Sequence, residues 1–138
     1  NISYAPANHS KMLHLRAAKI AGIADDIPLA TITGDADAEV CLLGWGSTWA
    51  AIDAAVQRTR RVGTKVAWIH LTHLNPLPPN LGELLRSFRT VLVPELNLGH
   101  LCRLVRADYL VDAKPINKVQ GLPFTSAELE AAITEALS

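Results

Sequence analysis

The chain is poor in aromatics, poor in cysteine and without any excess of one charge, and each shortage removes a class of function. Phe, Trp and Tyr supply 5% of its 138 residues, which leaves few platforms on which bases could stack. Lys plus Arg equals Asp plus Glu at 13 each, so no net field draws in nucleic acid or an anionic membrane surface. The only cysteines are Cys41 and Cys102. They cannot build a disulfide framework, are too few to ligate an iron-sulfur cubane, and have no CxxC or Cys/His zinc spacing around them. One falls in a strand pattern and the other in a helical pattern, as expected of free buried thiols in a reducing compartment. No apolar stretch reaches membrane-spanning length and no signal peptide is visible. The expectation is a cytoplasmic protein with neither nucleic acid nor membrane among its partners. Because the sequence starts at Asn1 rather than Met, a piece of a longer chain is expected.

What is present is an alternation of apolar runs and helical patterns in a length that suits one domain with a real core. Residues 8–26 place Leu13, Ala17, Ile20, Ala24 and Ile27 on one face at helical spacing, with Lys11, Arg16 and Lys19 off it. Pro28 is expected to end this helix. Residues 1–28 thus read as a connector carrying an amphipathic helix, and 29–138 as the domain proper. "LATIT", 29–33, suits a short edge strand, and 34–37 a turn. Strands follow at 39–43, 65–71, 90–94 and, more weakly, 109–116; helices follow at 47–62, 81–88, 97–109 and 124–137. Gly63 closes one helix, Asn97 caps another, and Thr125 or Ser126 caps the last. Strands alternating with helices predict a parallel sheet covered on both faces, with right-handed crossovers.

"CLLGWGSTWAAIDAAV", 41–56, is the segment most suggestive of chemistry: a strand, two glycines one residue apart, then a helix. A dinucleotide fingerprint needs GxGxxG, with the third glycine permitting close approach of helix and strand. Here Gly44 and Gly46 are followed by Trp49 at the third position, and no acidic residue follows the next strand, which ends His70, Leu71, Thr72, His73. GxxxxGK[ST] is absent, and Gly46 occupies the serine position of GxSxG. Two readings remain. The turn is structural, with Ser47 capping the helix, or the free N–H groups at Gly46 and Ser47 attract an anion or cofactor.

His70 and His73 stand three apart at a strand end, and a metal there would need ligands from elsewhere; hydrogen-bonded histidines are expected instead. No nucleophile, base and orienting group can be drawn from sequence order. In "VPELNLGHL", Glu95 falls at the carboxyl end of a predicted parallel strand and Asn97 at the start of the next helix, the edge where α/β sheets meet ligands and partners. The expectation for Glu95 is a loop-ordering or interface residue ahead of a catalytic base. Arg58, Arg60 and Arg61 suit the negative end of their helix.

Read in order, "NHSKMLHLRAAKIAGIADDIP", "LLGWGSTWAAIDAAV", "HLTHLNPLPPNLGELL", "VLVPELNLGHLCRLVRADYL" and "NKVQGLPFT" resemble the C-terminal domain of the alpha subunit of 2-oxoglutarate:ferredoxin oxidoreductase, over nearly the whole chain. The resemblance implies a transketolase C-terminal-like fold: three layers, α/β/α, around a mostly parallel five-stranded sheet with one antiparallel edge strand, supplied by "LATIT". It implies a parent enzyme that oxidatively decarboxylates a 2-oxoacid with coenzyme A, giving acyl-CoA, carbon dioxide and reduced ferredoxin. Thiamine diphosphate, Mg and an iron-sulfur cluster would be held elsewhere, by the preceding thiamine-pyrimidine domain and the beta subunit. It implies no catalytic, cofactor or metal residue in this segment. Glu95, Asn97, Gly99, Lys118 and Gln120, in the loops 95–99 and 117–124, are the interface candidates. The competing expectations are a free-standing nucleotide-binding or regulatory module using the turn at 44–47, and a C-terminal domain of the transketolase or pyruvate dehydrogenase type.

Overall fold

The computed structural model describes residues 4–138. A five-stranded sheet is ordered β1-β3-β2-β4-β5, with β1 at Thr33–Gly34, β2 at Val40–Trp45, β3 at Ala67–Leu71, β4 at Thr90–Glu95 and β5 at Ala113–Asn117. Only β1 runs antiparallel; the other pairs are parallel. The helices are α1 (Pro6–Ala21), α2 (Trp49–Arg61), α3 (Leu81–Arg86), α4 (His100–Tyr109) and α5 (Ser126–Leu137).

Alternating side chains divide the core in two. Cys41, Leu43, Ile69, Val91 and Val93 meet Leu81 and Leu85 of α3 and Leu101 and Val105 of α4. Val40, Leu42, Trp68 and Leu92 meet Ile52 and Val56 of α2 and Leu129 and Ile133 of α5. Because β2, β3 and β4 are buried on both faces, they read as near-continuous apolar runs. The chain moves outward from β2 to β3, then steps back across β2 to reach β4. Right-handed crossovers therefore require α2 on one face and α3 and α4 on the other, as found.

Several boundaries differ from expectation for local reasons. The edge strand is two residues long, because the Asn80 amide makes both main-chain bonds of Ala30 (Ala30 N to Oδ1, 2.9 Å; Nδ2 to Ala30 O, 2.8 Å). That side chain stands in for a ladder over 29–32. The first helix starts at Pro6, its fixed φ suited to the first turn, and gives way to a 3₁₀ turn at Gly22–Asp25 well before Pro28. The connector assigned to 1–28 begins outside the described residues. β5 starts later than expected because α4 runs to Tyr109, where Leu110 takes a left-handed conformation (φ 55°). Gly63, at φ 87°, closes α2 as expected. Thr125 caps α5 in a reciprocal box with Glu128.

Proline phases the sheet. Thr90 N donates to Glu39 O, toward β2, while Lys118 N donates to Glu95 O, away from it. By alternation Pro94 falls where an N–H would face β2, and it has none. The β2·β4 register accordingly stops at Leu42↔Leu92, although both strands run on. In β5 the same alternation turns the nitrogen of Pro115 outward, where no bond is needed.

Candidate functional site

Beyond Leu92 the carboxyl ends of β2 and β4 are unzipped, and this is the switch point at which the chain changes direction across the sheet, the usual ligand position in open α/β folds. A cleft of about 170 Å³ lies there, lined by Trp45, Gly46, Ser47, Thr48, Leu96 and Asn97. Ligand pockets for drug-sized molecules run from about 300 Å³ upward. The cleft has room for a small anion or one partner side chain, and no Lys or Arg lines it.

Glu95 is bonded to two of the lining residues, Trp45 and Asn97. The residue is completely buried, and its carboxylate accepts from Trp45 Nε1 (3.3 Å), Asn97 Nδ2 (3.2 Å), Leu101 N (2.8 Å) and Cys102 N (3.1 Å). Leu101 N and Cys102 N belong to the first turn of α4, so the carboxylate occupies the anion position of that helix. Past Pro94, where β2 and β4 have no ladder, the Trp45 indole links the two strands through its bond to the Glu95 carboxylate. Asn97 Oδ1 in turn accepts from Gly99 N (2.8 Å) and His100 N (3.0 Å). Asn97 therefore caps the approach to α4, which itself begins at His100.

The glycine turn differs from the sequence reading in two ways. Thr48, buried, caps it: its Oγ1 accepts from Trp45 N (3.2 Å) and donates to Trp45 O (2.8 Å). Ser47 is exposed, and α2 starts at Trp49. Nor does Trp49 obstruct the turn. The residue is 51% exposed, and its ring meets that of Trp68 edge-on with centroids 6.1 Å apart. Close approach of strand and helix occurs instead at Gly44, where an added Cβ would stand 2.3 Å from Ile52 Cδ1. Gly46, at φ 57°, is needed for the left-handed step out of β2.

Lys118 is held inside the next loop. Its ammonium donates to Glu128 Oε1 (2.8 Å), Glu128 Oε2 (2.9 Å) and Pro123 O (2.9 Å) and lies 5.8 Å from the Phe124 ring centroid. The Lys118 bonds, with those from Thr125, lower the Glu128 pKa from the ordinary 4.5 to about 2. Gly99, at φ 84°, stacks beside Asn117. Gln120 is exposed. The structure thus brings Gly46, Ser47, Glu95, Asn97 and Gly99 to one sheet edge, joined by the main chain of Lys118.

Burial raises the thiol pKa of both Cys41 and Cys102; Cys102 Sγ donates to Ala113 O (3.3 Å). His70 and His73 diverge. Burial lowers the His70 pKa and its Nδ1 is buried without a partner, whereas His73 Nδ1 pairs with Thr72 Oγ1 at 3.0 Å. Among the described residues no group of three or more His, Cys, Asp or Glu side chains gathers as a metal site. No helix among them is long and apolar enough to cross a membrane. Sequence reasoning missed Trp45 and Thr48; the hydroxyl three residues after the strand end was the visible signal for the second.

No protein-family profile matches the chain. It is 49% identical over its whole length to the 2-oxoglutarate oxidoreductase subunit KorA of Mycobacterium tuberculosis, of which it spans 21%. It is 30% identical, over 93% of its length, to the 2-oxoglutarate synthase subunit KorA of Methanocaldococcus jannaschii, of which it spans 35%. The chain therefore covers a minor part of the curated relatives it matches. Among solved structures, a 2-oxoglutarate:ferredoxin oxidoreductase from Magnetococcus marinus, holding 2-oxoglutarate, coenzyme A and succinyl-CoA, superposes with a TM-score of 0.91 at 29% identity. That match covers 99% of this chain and 24% of the other. A split-gene transketolase shares the fold at TM-score 0.60 and 20% identity, covering 78% of this chain and 41% of its own.

Proposed function

Because the chain belongs with the alpha subunits of the 2-oxoacid:ferredoxin oxidoreductases and has the transketolase C-terminal-like fold, we propose that it is the C-terminal structural and assembly domain of such a subunit. The parent enzyme converts a 2-oxoacid, coenzyme A and oxidised ferredoxin into acyl-CoA, carbon dioxide and reduced ferredoxin, using thiamine diphosphate, Mg and an iron-sulfur cluster in the cytoplasm of a bacterium. The observation that carries this reading is the 49% identity along the full chain.

The chain's own residues do not suit those groups. An iron-sulfur cubane needs four thiolates, and Cys41 and Cys102 are buried thiols already packed in the core. A diphosphate finds neither cation nor volume in the cleft between Gly46 and Asn97. No step of the reaction is assigned to this segment. Residues 1–28 serve as connector and 29–138 as the domain. Glu95, Asn97, Gly99 and Lys118 hold the loops 95–99 and 117–124 in a fixed shape; Gly46, Ser47 and Gln120 present that edge to the preceding thiamine-pyrimidine domain or the beta subunit.

The test is a complete alpha subunit lacking 29–138, co-produced with its beta partner. Failure to form the assembly by light scattering, with loss of 2-oxoglutarate-dependent ferredoxin reduction, is expected. An assembled, active enzyme without the segment refutes the proposal. Titrating the 138-residue chain with thiamine diphosphate, coenzyme A and NAD should give no saturation; saturable binding would favour a free-standing nucleotide-binding module instead.

A further inference from the structure

The first helix precedes the domain and buries no residue against it. No residue of α1 is buried. Met12, Leu13 and Ile20 are 42%, 50% and 44% exposed, and Ile23 in the following 3₁₀ turn is 39% exposed. Within the helix Leu13, Ala17 and Ile20 keep the alternating four- and three-residue spacing of a seam that packs against another helix, with Arg16 at its edge, and Ile23 and Ala24 carry the apolar run into the 3₁₀ turn. The seam alternates large with small: leucine and isoleucine ridges are separated by alanine gaps, which admits a neighbouring helix closely. Helices in proteins owe most of their stability to packing an apolar face, and this one of sixteen residues packs none, so the seam implies a cover.

The likeness to the Magnetococcus enzyme points to where a cover would come from: the match takes in 99% of this chain, α1 with it, at TM-score 0.91, and covers only 24% of that polypeptide, so most of its length lies outside the matched part. Charge argues in the same direction. Pro6–Ala21 carries Lys11, Arg16 and Lys19 and no acidic residue. Two copies laid seam to seam would bring Arg16, at the seam's edge, near its own copy with no acidic residue of the helix to offset it, which disfavours self-pairing. Tryptophan and phenylalanine, the usual apolar anchors of a helix lying in a lipid interface, are absent from it.

We propose that the α1 face formed by Leu13, Ala17 and Ile20 is a docking seam, covered in the complete subunit by an apolar, acid-edged helical surface of the same polypeptide's remaining part. This rests on the subunit assignment above and names the partner of the connector. The domain is then tied to its parent by side chains as well as by the covalent chain.

Hydrogen exchange provides the first test. Amides of 6–25 should exchange about tenfold or more slower in the complete subunit than in the 138-residue chain; equal rates would overturn the inference. In the second test, Leu13→Asp with Ile20→Asp is placed in the complete subunit, with Leu15→Asp, off the seam and also exposed, as control. The seam pair should lower the subunit's melting temperature relative to the control and leave that of the 138-residue chain unchanged, since α1 supports nothing there. Equal effects of pair and control would sink the idea. So would a dimer of the 138-residue chain that the pair dissolves, or co-sedimentation of the chain with phosphatidylglycerol vesicles that the pair abolishes. A subunit that assembles normally without 29–138 would refute the assembly role and leave the exchange result to be judged alone.

Discussion

Replacing Glu95 with glutamine swaps one oxygen for an NH₂ at nearly constant volume, inside a site where every neighbour is a donor. Oε1 accepts from Trp45, Asn97 and Leu101, and Oε2 from Cys102. The amide oxygen will keep the richer side, so its NH₂ will confront the N–H of Cys102. A buried donor left without an acceptor costs about 1–3 kcal/mol, and losing the negative charge at a buried helix start costs about 1 kcal/mol more. The sum, about 2–4 kcal/mol, is a large part of the roughly 5–15 kcal/mol that holds a domain folded. At roughly 3 °C per kcal/mol, melting should fall by about 6–12 °C. Urea titration followed by tryptophan fluorescence measures it directly, with Trp45 as an internal reporter. Glu95→Ala, which strands every donor and opens a cavity, should fall further. A glutamine variant within about 0.5 kcal/mol of the parent, or an alanine variant the more stable of the two, would show that the carboxylate does not organise this edge.

Other expectations follow from the same geometry. Gly44→Ala should destabilise by about 1–3 kcal/mol through overpacking, and Ile52→Val, which removes the Cδ1 atom in conflict, should recover part of that in a double-mutant cycle; additive losses would refute the close-approach role. The depressed pKa of Glu128 means its clasp on Lys118 and Thr125 is fully present above pH 4.5 and is lost as pH falls toward about 2. Glu128→Gln should flatten the fall in urea midpoint across that window, and an unchanged slope would refute it. Cys41 and Cys102, buried with raised thiol pKa, should label with a thiol reagent only as fast as the chain unfolds; rapid labelling of the native chain would contradict their burial.

Periodicity exposed the architecture because strands buried on both faces must be apolar throughout and helices must repeat near every fourth residue. An antiparallel edge strand was expected at 29–33 and found at Thr33–Gly34, one residue in common, since Asn80 acts on Ala30 from 50 residues away. The site was half visible. Glu95 and Asn97 stand out by position after a strand, yet the indole that reaches Glu95 comes from 50 residues earlier, and no local pattern announces it. The glycine turn invited comparison with a fingerprint whose third position is Trp49; the tight contact belongs to Gly44 and depends on which way α2 leaves the sheet. Pro94 reads plainly as the end of a strand. That it ends only the ladder toward β2 depends on the phase set by Thr90 and Glu39, a fact of register rather than of composition.

β5 has consequences for how the chain keeps company with itself. An outermost strand with a row of free donors is a template on which identical strands can stack into fibres. With Pro115 in the outward phase and Lys114 exposed beside it, that row has a gap and a charge at its middle. An incoming strand would find its ladder broken there, which guards this border of the sheet against runaway growth without weakening the bonds to β4.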